Sequence, residues 1–152
     1  MNGLLHNPVL HCCLIGWLLA QTLKIPIDYL KNRKVNWGIW FSAGGMPSSH
    51  SCMMTAATLA VGIFYGFDNP LFGIAVGITM IVVYDATGVR RQAGMQAKKI
   101  NAIIEELLQG HPISDKQLKE VLGHTPLEVI GGVTLGLMIP ISYWLLWGSY
   151  YK

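Results

Sequence analysis

Charge is what this sequence has least of. Only 12% of its residues are Asp, Glu, Lys or Arg, about half the ~25% of ordinary soluble proteins. The shortage is regional. No charged residue precedes Lys24, none stands between Lys34 and Asp68, and none between Glu128 and Lys152. Each gap holds an apolar run of membrane-spanning length, which is ~20 residues. With 52% hydrophobic residues, this is the balance of an integral membrane protein. The net charge of +3 is small, and no basic patch is interleaved with aromatics, so nucleic acid is not an expected partner. Cysteine is scarce too. Cys12, Cys13 and Cys52 form no Cys-x-x-Cys pair, which argues against a disulfide frame and a zinc site. All three lie in or beside apolar runs and read as small buried hydrophobes. The N-terminus lacks the basic region of a signal peptide, because Lys24 follows the first apolar run. That run is therefore read as a retained span.

What is present organises into an all-α integral membrane bundle of about four transmembrane helices, forming a single domain over residues 1–152. The spans are expected at roughly 8–23 (extending toward Leu30), 48–67, 71–89 and 126–147. Trp37, Trp40 and Phe41 suggest an interfacial segment between the first two. Asp68-Asn69-Pro70 makes the next turn. In the third loop Ile100, Ile103, Ile104, Leu107 and Leu108 recur at helical spacing opposite Lys98, Lys99, Glu105 and Glu106. That predicts an amphipathic helix on the membrane surface or against the spans, with a plain solvated connector as the alternative. Gly110 and Pro112 end it, and Ser114-Asp115-Lys116-Gln117 reads as the capping box of a second short helix ending near Gly123. Spans two, three and four each carry a Gly-x-x-x-Gly: Gly62 with Gly66, Gly73 with Gly77, Gly132 with Gly136. Such pairs let helices approach closely in lipid and are compatible with a tight bundle or a homo-oligomer.

Basic residues set the orientation. The first loop carries Lys24, Lys31, Arg33 and Lys34; the third carries Arg90, Arg91, Lys98, Lys99, Lys116 and Lys119; the second has none. The positive-inside rule places loops one and three in the cytoplasm. Lys24, His50, Arg90, Arg91 and His124 then fall on one membrane face. Polar groups gathered there are candidates for a shared site.

The stretch Gly44-Gly45-Met46-Pro47-Ser48-Ser49-His50-Ser51 is the centre of that site. Glycines allow close backbone approach, and a helix starting near Pro47 would offer unpaired amides and a positive dipole end to an anion. His50 adds a proton exchanger near neutral pH. Phosphoester cleavage needs cations on the phosphoryl oxygens, an acid for the leaving oxygen and a nucleophile. Lys24, Arg90 and Arg91 can supply cations, Ser48 and Ser49 neutral donors, and His50 and His124 the acid and nucleophile in either order.

Pro47-Ser48-Ser49-His50 resembles the central Pro-Ser-Gly-His motif of the phosphatidic-acid-phosphatase type 2 superfamily. His124-Thr125-Pro126-Leu127-Glu128 is similar to its last motif, a histidine followed four residues later by an acid, and Lys24 resembles its first-motif lysine. Asp85-Ala86-Thr87-Gly88-Val89-Arg90-Arg91 joins these blocks in resembling the divergent branch described as acid phosphatase/vanadium-dependent haloperoxidase-related. The chain departs from the superfamily in Ser49 for glycine, in Glu128 for aspartate, and in the long segment between its arginines and His124. The resemblance implies a membrane phosphatase that hydrolyses a lipid or isoprenoid phosphate monoester or diphosphate in the bacterial plasma membrane. His124 would form a phosphohistidine, Glu128 would orient it, and His50 would protonate the leaving group. Lys24, Ser48, Ser49, Arg90 and Arg91 would hold the phosphate. No metal or cofactor is implied, although vanadate would mimic phosphate in the pocket. Lipid is the expected surrounding and substrate. The alternative is an inactive membrane protein that binds anionic lipid or a partner through the retained pocket.

Plainer readings stand beside these. Thr125-Pro126-Leu127-Glu128 is itself a capping box with proline at the first helical position, so Glu128 is either catalytic, a cap, or both. Arg90-Arg91 is also a topology-setting pair. Asp85, costly if unpaired near a span end, is read as the ion-pair partner of one of them. His6, His11 and His111 receive no role.

Overall fold

The computed structural model of the chain describes residues 6–42, 44–107 and 124–151. Five α-helices account for most of them: α1 (Pro8–Asn32), α2 (Ser49–Tyr65), α3 (Pro70–Thr87), α4 (Val89–Leu107) and α5 (Pro126–Trp147). Short 3₁₀ helices cover Trp37–Phe41 and Gly148–Tyr151. The expected end signals at Gly110 and Pro112 and the capped helix from Ser114 to Gly123 lie outside the described residues.

Each span begins where the chain chemistry says it should. Asn7 caps α1, its side chain accepting from the amides of Val9 and Leu10, with Pro8 in the first turn. Asn69 caps α3 and accepts from Leu71 N, with Pro70 next. Both helices therefore start with a side-chain acceptor and a proline that needs no intrahelical partner. Gly66 ends α2 at φ +97°, a left-handed conformation open to glycine. α1 runs through Pro26 to Asn32, longer than the first expected span.

Among the described residues, three segments are long and apolar enough to cross a membrane: Pro8–Asn32, Pro70–Asn101 and Pro126–Tyr151. The fourth expected span, α2, has 17 residues, or ~25 Å of helix against a ~30 Å hydrocarbon core. It compensates by position. α2 packs against α1, α3 and α5 and is the centre of the bundle.

The core is made of small side chains. Cys12 and Ala20 of α1 meet Cys52, Ala56 and Ala60 of α2, all fully buried. The three cysteines are free thiols, as expected. Gly16 faces Ala56 Cβ, which a Cβ on Gly16 would meet at 3.3 Å. On α5, a Cβ at Gly132 would overlap the Ser48 carbonyl, and one at Gly136 would lie 2.6 Å from the Cys52 carbonyl. Close backbone approach of this kind replaces the hydrophobic drive that is missing inside lipid. α3 is held differently. Thr58 Oγ1 and Thr79 Oγ1 stand 2.7 Å apart, close enough for one to donate to the other, and each also lies within hydrogen-bond reach of a carbonyl of the opposite helix, Ala75 at 3.1 Å and Met54 at 3.2 Å. Only Ala86 of α3 is buried.

The three Gly-x-x-x-Gly pairs thus divide. Gly132 and Gly136 pack on α2; Gly62 lies under the ring of Phe67; Gly73 and Gly77 have nothing within 4 Å. Gly77→Ala is accordingly expected to leave stability unchanged or raise it by up to about 1 kcal/mol from helix propensity, read as the unfolding midpoint in detergent.

α4 begins directly after Gly88, earlier than the expected amphipathic stripe. Ile100, Ile103 and Ile104 remain exposed, whereas Asn101 is buried. These three isoleucines therefore do not pack against the described spans. At the end of the bundle formed by the start of α1 and the end of α5, His11 Nδ1 lies 2.7 Å from Tyr143 Oη, which meets Tyr151 Oη at 3.0 Å, and His6 Nε2 lies 3.0 Å from Tyr150 Oη. These histidines tie the start of α1 to the end of α5.

Candidate functional site

The loop from Gly44 to Ser48 places the first functional side chain. Gly45 takes φ +91°, which glycine allows without strain. The Met46–Pro47 peptide is cis. The helix starts two residues after Pro47. Ser48 is the N-cap, and its Oγ accepts from Ser51 N at 3.4 Å and from the Ser51 hydroxyl at 3.0 Å. A serine hydroxyl satisfies a first-turn amide better than proline's position would, so the cap falls on Ser48. His50 consequently sits in the first turn of α2. Ser48 N also donates to the Glu128 carbonyl at 2.9 Å, which fastens this loop to α5.

The start of α5 places the second. Thr125 is the N-cap, with Pro126 in the first turn and a complete capping box. Glu128 N donates to Thr125 Oγ1 at 3.4 Å, and Thr125 N donates to Glu128 Oε2 at 3.0 Å. The same Oε2 lies 3.1 Å from His124 Nδ1. The two readings of Glu128 are therefore compatible in one geometry, since the cap aims the carboxylate at the preceding histidine. With Nδ1–H donating to that carboxylate, the lone pair of the ring is on Nε2. His124 is 4% exposed.

His50 and His124 line one cavity of about 80 Å³ with Val82, Asp85 and Ala86. α2, α3 and the residue that precedes the cap of α5 each contribute to it. The other expected residues divide around this cavity. Lys24 is fully buried, and its Nζ donates to the Ser42 carbonyl at 2.9 Å and lies 3.5 Å from Ser49 Oγ. Lys24 and Glu128 line a separate cavity of about 320 Å³ together with Asp28, Lys31, Gly45 and Met46. Ser48 and Ser49 are buried and bonded within the protein, and neither lines the histidine cavity. Arg90 and Arg91 fall in the first turn of α4, directly after Gly88; their side chains lie outside the described residues.

Asp85 is the residue that sequence reasoning placed only as an ion-pair partner. It stands on the wall of the histidine cavity. The signal was its position, an acid near the end of a span on the same face as His50. A cavity with two imidazoles and a carboxylate can move a proton.

Comparison with known proteins follows the same lines. A family profile described as the divergent PAP2 family matches residues 5–139. The uncharacterized membrane protein YuiD of Bacillus subtilis (strain 168) is 37% identical over 149 residues, covering 91% of this chain and 94% of the relative. No solved structure matches the chain.

Proposed function

The chain belongs to the divergent PAP2 family, and from that premise we propose that it is a membrane phosphatase that hydrolyses a lipid or isoprenoid phosphate monoester or diphosphate through a phosphohistidine. The observation that carries this reading is the contact of His124 Nδ1 with Glu128 Oε2, on a histidine that shares a cavity with His50. A carboxylate on Nδ1 fixes the tautomer and supports the positive charge that the ring gains on attack.

In the first step Nε2 of His124 attacks phosphorus and the P–O bond to the leaving group breaks. His50, protonated, passes its proton to the departing oxygen, so an alcohol leaves and His50 becomes neutral. In the second step His50 takes a proton from water as the water oxygen attacks phosphorus. The P–N bond breaks, its electrons return to His124, and inorganic phosphate is released. Arg90 and Arg91 of the third loop hold the phosphoryl oxygens, and the basic excess of loops one and three puts this face in the cytoplasm of the plasma membrane. An anionic head at the face and a tail in lipid suit a lipid or isoprenoid phosphate.

The second reading is a non-enzymatic protein that binds anionic lipid or a partner in the same pocket. The position of Lys24, Ser48 and Ser49 away from the histidine cavity favours it. Purified protein in detergent separates the two. Wild type, His50→Ala and His124→Ala are given a panel of lipid phosphates and phosphate release is measured. Equal release from all three sinks the enzymatic reading, and tight lipid binding without turnover establishes the second.

A further inference from the structure

α1 reaches the chain ahead of α2 with two buried polar side chains one turn apart, Gln21 and Lys24. Residues at this spacing share a helix face. Gln21 Nε2 donates to the Trp40 carbonyl at 2.7 Å. Lys24 Nζ donates to the Ser42 carbonyl at 2.9 Å and lies 3.5 Å from Ser49 Oγ. Between those two acceptors the sequence carries Gly44 and Gly45. The stem of Lys24 passes beside the second of them, where a Cβ would lie 3.7 Å from Lys24 Cδ. One ammonium group therefore bridges the beginning and the end of the glycine-bearing loop, and the residue after its last contact is His50. The far end of the loop is also tied to α5, through Ser48 N and the Glu128 carbonyl at 2.9 Å. Among the described residues Lys24 makes no ion pair, and it does not line the cavity of His50 and His124. Its hydrogen bonds go to the loop.

We propose that Lys24, together with Gln21, is a positioning residue: it staples this loop shut and so fixes His50 where it hands its proton to the departing oxygen, while other groups hold the phosphoryl oxygens. The task of His50 rests on the phosphatase reading; the staple itself does not. The resemblance to the wider superfamily implies a phosphate contact for Lys24, and the staple assigns its N–H groups to the loop instead. A glycine pair loses much backbone freedom on ordering, so a loop that carries one needs ties at both ends. Lysine suits the task, since three N–H donors on a long stem reach two acceptors at once. The effect on chemistry is geometric. A general acid must stand within hydrogen-bond reach of its oxygen, and a misplacement of ~1 Å costs about a hundredfold.

The test uses the full chain in detergent and two phosphate monoesters, a long-chain alkyl phosphate and 4-nitrophenyl phosphate. The alkyl leaving oxygen needs a proton to depart; the nitrophenolate does not. Lys24→Met keeps an apolar stem and removes the donors, and the loss of a buried charge is commonly tolerated by a fold. Release from the alkyl ester is expected to fall about fiftyfold in Lys24→Met, and from the aryl ester only about threefold. His50→Ala is expected to show the same preference for the aryl ester, and the double variant to lose nothing beyond His50→Ala, because the two act as one unit. Lys24→Gln, which keeps an N–H donor, is expected to recover part of the alkyl activity. Hydrogen exchange of the amides from Gly44 to Ser48 is expected to quicken about tenfold in Lys24→Met and in Gln21→Leu, with α3 and α5 unchanged. Equal losses on the two esters, or orthovanadate inhibition weakened about tenfold in Lys24→Met, would put Lys24 on the phosphoryl group and overturn the proposal. Unchanged loop exchange in Lys24→Met overturns it as well. If the wild type releases phosphate from neither ester, the hydrolytic reading falls by itself, and loop exchange still decides the staple: a quickened loop supports it and an unchanged one removes it.

Discussion

His124→Ala is expected to lower phosphate release at least about a thousandfold, and Glu128→Gln about a hundredfold, by analogy with nucleophile and orienting-carboxylate losses in other hydrolases. The two substitutions remove different things. Alanine at 124 takes away the attacking nitrogen. Glutamine at 128 keeps the shape of the side chain and can still complete a capping box, so α5 keeps its start. It loses the negative charge at 3.1 Å from His124 Nδ1. An amide in that place does not select the tautomer with the lone pair on Nε2, nor does it support the cation formed on attack. Thr125→Ala is the converse. It removes the hydroxyl that accepts Glu128 N–H, which costs about 1 kcal/mol, and leaves the carboxylate beside the histidine. The expected pattern is low turnover with near-normal unfolding for Glu128→Gln, and lowered stability with most of the turnover retained for Thr125→Ala. Both are measured as phosphate release and as thermal unfolding in detergent. Full turnover in Glu128→Gln would reduce Glu128 to a helix cap.

Gly132→Ala is expected to destabilise the bundle by about 1–3 kcal/mol, the usual cost of forcing atoms into a packed contact. Its new Cβ would overlap the carbonyl oxygen of Ser48, a backbone atom. That atom has little freedom. Ser48 is the N-cap of α2, its amide is held by the Glu128 carbonyl, and its carbonyl accepts from Cys52 N at 3.0 Å. Relief requires α5 to move away from α2, which also separates His124 from His50. Turnover should fall together with stability. An alanine variant as stable as wild type would show that the α2–α5 contact is looser than described.

Gly132 and Gly77 stand in the same five-residue pattern, yet one lies against a backbone carbonyl and the other has open space around it. Their sequences do not tell them apart, because the pattern records where a helix is able to be approached and not whether another helix is there. Glu128 is the reverse case. Its two roles compete on paper, since a helix that starts at Pro126 leaves His124 outside it. Only the placed side chain reveals that one oxygen serves both the Thr125 amide and the His124 ring.

The sequence by itself determined the all-α membrane class, the approximate spans, the turn at Asp68-Asn69-Pro70, the cap at Thr125, and the pairing of His50 with His124 as candidates. Length, polarity and neighbouring side chains control those features, and all are local. The tertiary structure decided which way each helix faces. It turned Asp85 toward the histidines, kept Lys24 in a neighbouring cavity, and buried Ser48 and Ser49. In water, an apolar stripe announces the buried face of a helix. In lipid, both the inward and outward faces are apolar, so hydropathy carries no rotation signal. Rotation here follows from small contacts, Gly16 on Ala56 and Gly132 and Gly136 on the carbonyls of α2, which exist only once the helices are packed.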